Sequence, residues 1–352
     1  MSTEVEVRRW LKGIRRKDEI LLAFHNDGDG ICSAALMKLF IERYAGASVV
    51  LLSQPMPVRK SLSSYVRTTM ANKVIFLDLG MDQHPNVVKK IEKDCEVLVI
   101  DHHDPLRDLT DEHVLHFNPK LEREVYLPTS YLVYELCNPI VNMSDKLWIA
   151  IVGIVSDYQV QDLREFLLDC KKVYPEIEPS QPAIFNTRFG LASEILGYAK
   201  AYRMRCEDLV EMLCSSSTLQ EFLSNEVLRN AFERVKSEID AILTQAKSTP
   251  PISNRILLFE LKTKFALRSI IATKLSIELP RLVVLVYERS GGRVKLSART
   301  QRDTNLLEFF KREFREIEFK SLGGHRNACG LEMDEEDFAE FVERLRAKAN
   351  LL

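Results

Sequence analysis

Four short stretches of this chain gather carboxylates and imidazoles. "FHNDGDGICS" supplies His25, Asp27 and Asp29, and "VIFLDLG" brings Asp78. "VLVIDHHDP" carries Asp101, His102, His103 and Asp104, and "AIVGIVSDY" reaches Asp157. Each set follows an apolar run, so the chain repeatedly ends a buried segment in groups that resist burial. Such groups are tolerated at depth when they are paired or hold a metal. Carboxylates mixed with imidazoles suit manganese, and to a lesser degree magnesium, zinc or iron. Asp27 and Asp29 stand two apart and, on an extended turn, would face different ions, while Asp78 would bridge both. Two ions about 3.5–4 Å apart activate a water and stabilise a leaving oxygen in phosphoryl chemistry. Without a cation, clustered carboxylates repel one another. Taken singly, "DGDG" reads as a turn and a lone aspartate after a strand as a cap. The repetition of the pattern carries the metal reading.

A fifth stretch, "KSLGGHRNACG" (320–330), stands far from the others. Gly323 and Gly324 permit close backbone approach to a ligand, next to His325 and Arg326. "KLSART" (295–300) places Arg299 at a strand end, where a guanidinium can grip a phosphate with two hydrogen bonds.

The elements that must position these groups read as two α/β segments. "EILLAFH", "SVVLL", "KVIFLDLG", "EVLVIDHH" and "HVLHFN" are strand candidates. Residues 31–46 and 85–94 fit helices between them. Strands alternating with helices imply a parallel sheet, whose carboxyl edge is where ligands bind. From Thr129 to about Gln245 the pattern turns helical, and "STPPISN" reads as a linker. "RILLFEL", "RLVVLVYER" and "RVKLSART" then predict strands, with helices over 266–279 and 305–314. The expected architecture is an N-terminal parallel-sheet domain over 1–185, a helical connector over 186–250, and a smaller C-terminal α/β domain over 251–352. A cleft is expected between the two domains.

The bulk numbers agree with a globular protein. Hydrophobic residues make up 46% of 352, enough for a sizeable core. Seven cysteines without a CxxC pair read as reduced thiols in a cytoplasmic protein. The N-terminus shows no secretion signal, and no apolar run is long enough for a membrane span. The net charge of −2 excludes a uniformly basic coat. Residues 255–320, however, hold 15 Lys+Arg against 8 Asp+Glu, a net +7 that could face phosphates.

The ordered set "HNDGDG", "DLG", "DHH" and "SD" resembles the four motifs of the DHH phosphoesterase superfamily. "SART" followed by "GGHRNACG" resembles the C-terminal DHH-associated domain of its RecJ and nano-RNase branch. The resemblance implies two manganese ions, with magnesium as a substitute. It implies His25, Asp27, Asp29, Asp78, His102 and Asp157 as ligands, with Asp78 bridging. In several branches the first histidine stands four residues before the first aspartate; here His25 stands two before Asp27. Asp101 would orient an imidazole from behind, and His103 would contact the scissile phosphate. Arg299, Gly323, Gly324 and His325 would hold a phosphate or terminal nucleotide. Asp78, His102 and His103 would thus form the catalytic core for in-line hydrolysis by two-metal water activation.

The compact first motif looks like that of archaeal RecJ-like exonucleases, which degrade single-stranded DNA or RNA, several of them beside replication or repair proteins. That is the expected activity. The alternative is a small-substrate phosphodiesterase: a nano-RNase, a phosphoadenosine-phosphate phosphatase or a cyclic-dinucleotide hydrolase. A non-catalytic scaffold of the replicative-helicase kind is a third class, opposed by the filled ligand positions.

Overall fold

The computed structural model describes residues 3–352 apart from Gln159 and Gln181. The chain divides into two compact units: one runs to Lys200 and includes Met204–Asn230, and the other comprises Ala201–Arg203 and Ala231–Leu352.

The first unit is built on five parallel strands: β1 (Glu19–His25), β2 (Ser48–Gln54), β3 (Lys73–Leu77), β4 (Glu96–Ile100) and β5 (Val114–Phe117). Their spatial order is β2-β1-β3-β4-β5. All five residues of β3 are buried, and β4 is buried from its second residue onward. Both faces of these central strands are covered, which is why they are apolar after their first residue. On one face, Leu62, Val66, Val88 and Ile91 pack on Val74, Phe76, Val97 and Val99. Elsewhere in the unit, the Gly28–Tyr44 helix packs against the Thr129–Cys137, Leu147–Ser156 and Cys206–Ser215 helices. The Leu147–Ser156 helix is buried over Trp148–Val155, as expected of a helix apolar all round. In this strand order the direction of winding reverses between β1 and β3. Open parallel sheets bind ligands at such a reversal, beyond the carboxyl ends of the strands.

The second unit has a mixed sheet ordered β6-β7-β8-β10-β9. Its strands are β6 (Ile256–Glu260), β7 (Val283–Ser290), β8 (Arg293–Arg299), β9 (Ser321–His325) and β10 (Ala328–Asp334). β6 and β7 run parallel and the other pairs antiparallel. Its core joins Leu285, Leu296 and Leu331 to Phe310, Phe314 and Phe341. Among the described residues, no helix is long and apolar enough to cross a membrane.

Two details differ from the sequence reading. The first helix after β1 begins at Gly28, not Ile31, so Asp29 lies in a helical turn rather than on an extended one. The stretch around Gly323–Gly324, to which the sequence reading assigned no strand, belongs to an antiparallel hairpin. Gly324 takes φ +132°, a conformation that side chains disfavour.

Candidate metal centre

β1 ends in His25, and the chain then turns into a helix capped by Asp27. Asp27 Oδ1 accepts a hydrogen bond from Gly30 N at 2.9 Å. That fixes the carboxylate, and its Oδ2 lies 2.8 Å from His25 Nδ1. Two residues on, a little over half a helical turn, stands Asp29. Its two oxygens accept from the backbone of Thr129 (2.7 Å) and Ser130 (3.0 Å) at the start of the Thr129–Cys137 helix. A helix N-terminus is a favourable seat for a carboxylate.

Asp78 follows β3 directly and takes φ +63°. It is buried between three histidines: Oδ2 lies 3.4 Å from His25 Nδ1, and Oδ1 lies 3.0 Å from His102 Nε2 and 3.6 Å from His103 Nδ1. Asp157 caps the C-terminus of the Leu147–Ser156 helix and brings Oδ2 to 3.6 Å from His102 Nδ1.

Asp101 plays a different part. Its Oδ2 accepts from Leu79 N (3.1 Å) and from Gly80 N, clamping the loop after β3 to the end of β4. Its Oδ1 lies 2.7 Å from His103 Nδ1 and also accepts from the backbone of His102 and His103. His103 is thereby aimed, with its side chain 29% exposed.

Among the described residues, three groups have ligand atoms within 4.8 Å of one another: His25, Asp27 and Asp78; Asp29, His102 and Asp157; and Asp78, Asp101, His102 and His103. Asp78 and His102 each recur in two of them, and Asp78 is the link from the His25 side to the His102 side. His25 Nδ1, His102 Nδ1 and Asp157 Oδ2 are buried and make no well-directed hydrogen bond, although carboxylate or imidazole atoms lie 2.8–3.6 Å away. Several ligand atoms gathered within a few ångströms are what a cation site requires. This set of carboxylate and imidazole donors fits divalent ions of the manganese type.

Electrostatics agrees. Burial pushes Asp29 well above the usual carboxylate range, and Asp78 and Asp157 push it the same way. Burial also raises Asp157 to about 6, against the pull of His102. Burial opposes protonation of His25 and His102, yet Asp27 and Asp78 raise the first to about 10 and Asp78 the second to about 10. Burial works against Asp101 too, but His103 and backbone N–H groups hold its pKa low.

A pH dependence follows. Below about pH 10 the metal-free site holds protons on His25 and His102. With both imidazoles as ligands, those protons would leave as a cation binds, and affinity is expected to rise with pH through the neutral range, by up to about tenfold per unit for each proton released. Calorimetric manganese titrations at pH 6.5, 7.5 and 8.5, in buffers of different ionisation enthalpy, count the protons. Affinity flat across this range would refute the displacement.

The phosphate-side candidates lie in the second unit. The register aligns Arg299 of β8, Ala328 of β10 and His325 of β9 in one row. The Arg299 guanidinium donates to Ser269 Oγ (2.8 Å) and Thr273 Oγ1 (3.2 Å). Gly323 has open space where a side chain would stand.

Comparison with known proteins gives these residues a context. The pattern of the DHH family, N-terminal domain, matches residues 19–158, and the DHHA1 domain matches 257–350. The chain belongs to the DHH phosphoesterase superfamily. This DHH protein is a metal-dependent phosphoesterase. No match was found among curated protein sequences. Among solved structures, an exonuclease RecJ bound to manganese shares the fold with a TM-score of 0.73 and 18% identity, over 100% of this chain and 95% of that one. RecJ from Thermus thermophilus in complex with Mn2+ gives 0.72 and 17%, with 100% of this chain covered but 55% of the larger relative. A pGpG-specific phosphodiesterase from a Vibrio gives 0.56 and 14%, over 95% and 99%.

Three residues of this DHH centre escaped the sequence reading. Thr129 and Ser130 seat Asp29 from 100 residues away. Tyr126 sets its ring edge-on against His102, with centroids 4.9 Å apart at 87°. The only local signal is "LPTS" before a helical run, which marks a helix start.

Proposed function

We propose that this protein is a manganese-dependent, RecJ-like exonuclease that hydrolyses single-stranded DNA or RNA. The observation that carries the reading is the shared carboxylate of Asp78, between two ligand sets at the sheet's reversal point. Whole-chain likeness to RecJ and the net +7 over 255–320 support the choice of substrate.

His25, Asp27 and Asp78 would hold one ion, and Asp29, His102 and Asp157 with Asp78 the other. When bound, such a pair activates water and stabilises the leaving oxygen. Asp101 keeps Nδ1 of His103 engaged and leaves its other nitrogen for a phosphate oxygen. Although burial opposes it, Asp101 raises the pKa of His103, favouring the imidazolium that donates to an anion. The C-terminal domain, from about residue 251, would hold the substrate through Arg299, Gly323, Gly324 and His325, with 1–185 as catalytic domain and 186–250 as connector. A cytoplasmic enzyme acting beside replication or repair proteins fits this reading.

The test is a time course with manganese on end-labelled single-stranded 20-mers of DNA and RNA. Mononucleotide release along the full length is expected, and the label gives the direction. Intact 20-mers with cleaved dinucleotides would move the substrate class to small phosphodiesters. No hydrolysis and no manganese uptake would leave a scaffold. In the same assay Arg299→Ala is expected to keep its metal content and raise KM roughly tenfold or more, the worth of a charge-assisted phosphate contact. Unchanged KM across substrate lengths would remove Arg299 from the site.

A further inference from the structure

A tyrosine stands where the backbone asks for glycine, directly after a metal ligand. The Leu147–Ser156 helix ends at Asp157, and Tyr158 follows with φ +59°. Helices often end with a residue in this left-handed conformation, most often glycine, because a side chain there is strained. Four non-glycine residues among those described have positive φ, and two of them, Asp78 and Tyr158, border the metal centre. Strain at such places is retained when the side chain is needed.

Tyr158 is nonetheless 68% exposed. Its ring lies against Phe185, with centroids 5.2 Å apart and planes at 40°. The pair is held firmly from beneath. Phe185 belongs to the Ala183–Asn186 turn, against which Gly190 packs so closely that a Cβ there would sit 2.1 Å from the Phe185 carbonyl oxygen. Ser156 Oγ is 2.9 Å from Ser193 Oγ, tying the end of the Leu147–Ser156 helix to the Arg188–Ala201 helix that contains Gly190. An exposed aromatic face on a fixed support, one residue from a metal ligand, has the chemistry of a base-stacking surface.

We propose that Tyr158, backed by Phe185, stacks a nucleobase of the strand whose phosphate lies at the metal centre. This rests on the nucleic-acid reading above and adds where the enzyme grips a base. Stacking accepts every base, so it favours nucleotide substrates without sequence preference.

The test compares Tyr158→Ala, Tyr158→Gly and Tyr158→Trp with wild type on single-stranded 10-mers. One substrate carries all its bases; the others lack a single base at one of the first two positions from either end. Tyr158→Ala is expected to raise KM about tenfold on the full substrate, within the range found for base–aromatic stacking. Tyr158→Trp is expected to keep wild-type KM. On the substrate lacking the stacked base, wild type is expected to lose the same factor, and Tyr158→Ala to add nothing further. Tyr158→Gly separates function from fold: relief of the left-handed strain raises its melting temperature by a few degrees while KM rises. Equal KM for wild type and the alanine variant, or an equal rise on every abasic substrate, would overturn the stacking role alone. Failure of wild type to cleave any oligonucleotide would overturn the nucleic-acid reading and the stacking role with it.

Discussion

Asp78→Ala is expected to lose both metal ions and at least about a thousandfold of its hydrolysis rate, since metal-assisted activation of water is lost with them. The reason is topological. Asp78 joins the His25 side of the centre to the His102 side, placing Oδ2 3.4 Å from His25 and Oδ1 3.0 Å from His102. Removing it also leaves the buried His102 and the half-buried His25 without their shared counter-charge, so the metal-free protein changes too. Alanine is a poor occupant of φ +63°, which adds a conformational effect to the loss of charge. Asp78→Asn separates the two, because asparagine accepts left-handed backbone and keeps the side chain's shape while removing the charge. Metal analysis by mass spectrometry, with rates on the 20-mer, reads both variants. If Asp78→Asn retains two manganese ions per chain and near wild-type turnover, Asp78 is not the bridge.

The residues of the centre were legible in the sequence because a parallel sheet delivers them to one edge. After a charged first residue, β3 and β4 are apolar throughout, and each is followed at once by its acidic or imidazole group. A reader who recognises the strands therefore recovers Asp78 and Asp101–His103 without knowing the fold. The cradle of Asp29 was not legible. Its partners are backbone N–H groups at Thr129 and Ser130, and any residue except proline offers the same donor. The hairpin of β9 and β10 was obscured for another reason. Its first strand, "SLGGH", has two glycines and weak strand propensity, and it is held by pairing with β10 rather than by its own composition. The early start of the Gly28–Tyr44 helix was masked by Gly28 and Gly30, both weak helix formers, although Asp27 is a favoured capping residue.

Those weak helix formers lead to the second large effect. Gly30→Ala is expected to reduce turnover by about a hundredfold, the size of loss that follows a 1 Å misplacement of catalytic groups. A Cβ at Gly30 would sit 2.2 Å from the carbonyl oxygen of His25, 2.8 Å from its carbonyl carbon and 3.0 Å from its Cα. All three are backbone atoms, so no side chain can swing aside. Relief requires β1 and the Gly28–Tyr44 helix to part by about 1 Å in a close-packed interior. The parting acts on the metal centre directly, because His25 lies on one side of the contact, Asp29 on the other, and Gly30 N anchors Asp27. Overpacking of this kind typically destabilises by about 1–3 kcal/mol, which a domain of this size survives. The folded variant is therefore open to assay. Circular dichroism and melting temperature establish that it is folded, and manganese titration shows whether the ligands still converge. A folded Gly30→Ala with wild-type manganese affinity and turnover would mean that the His25–Asp29 turn tolerates displacement, and that the site depends less on this close backbone approach than on the clamp Asp101 provides.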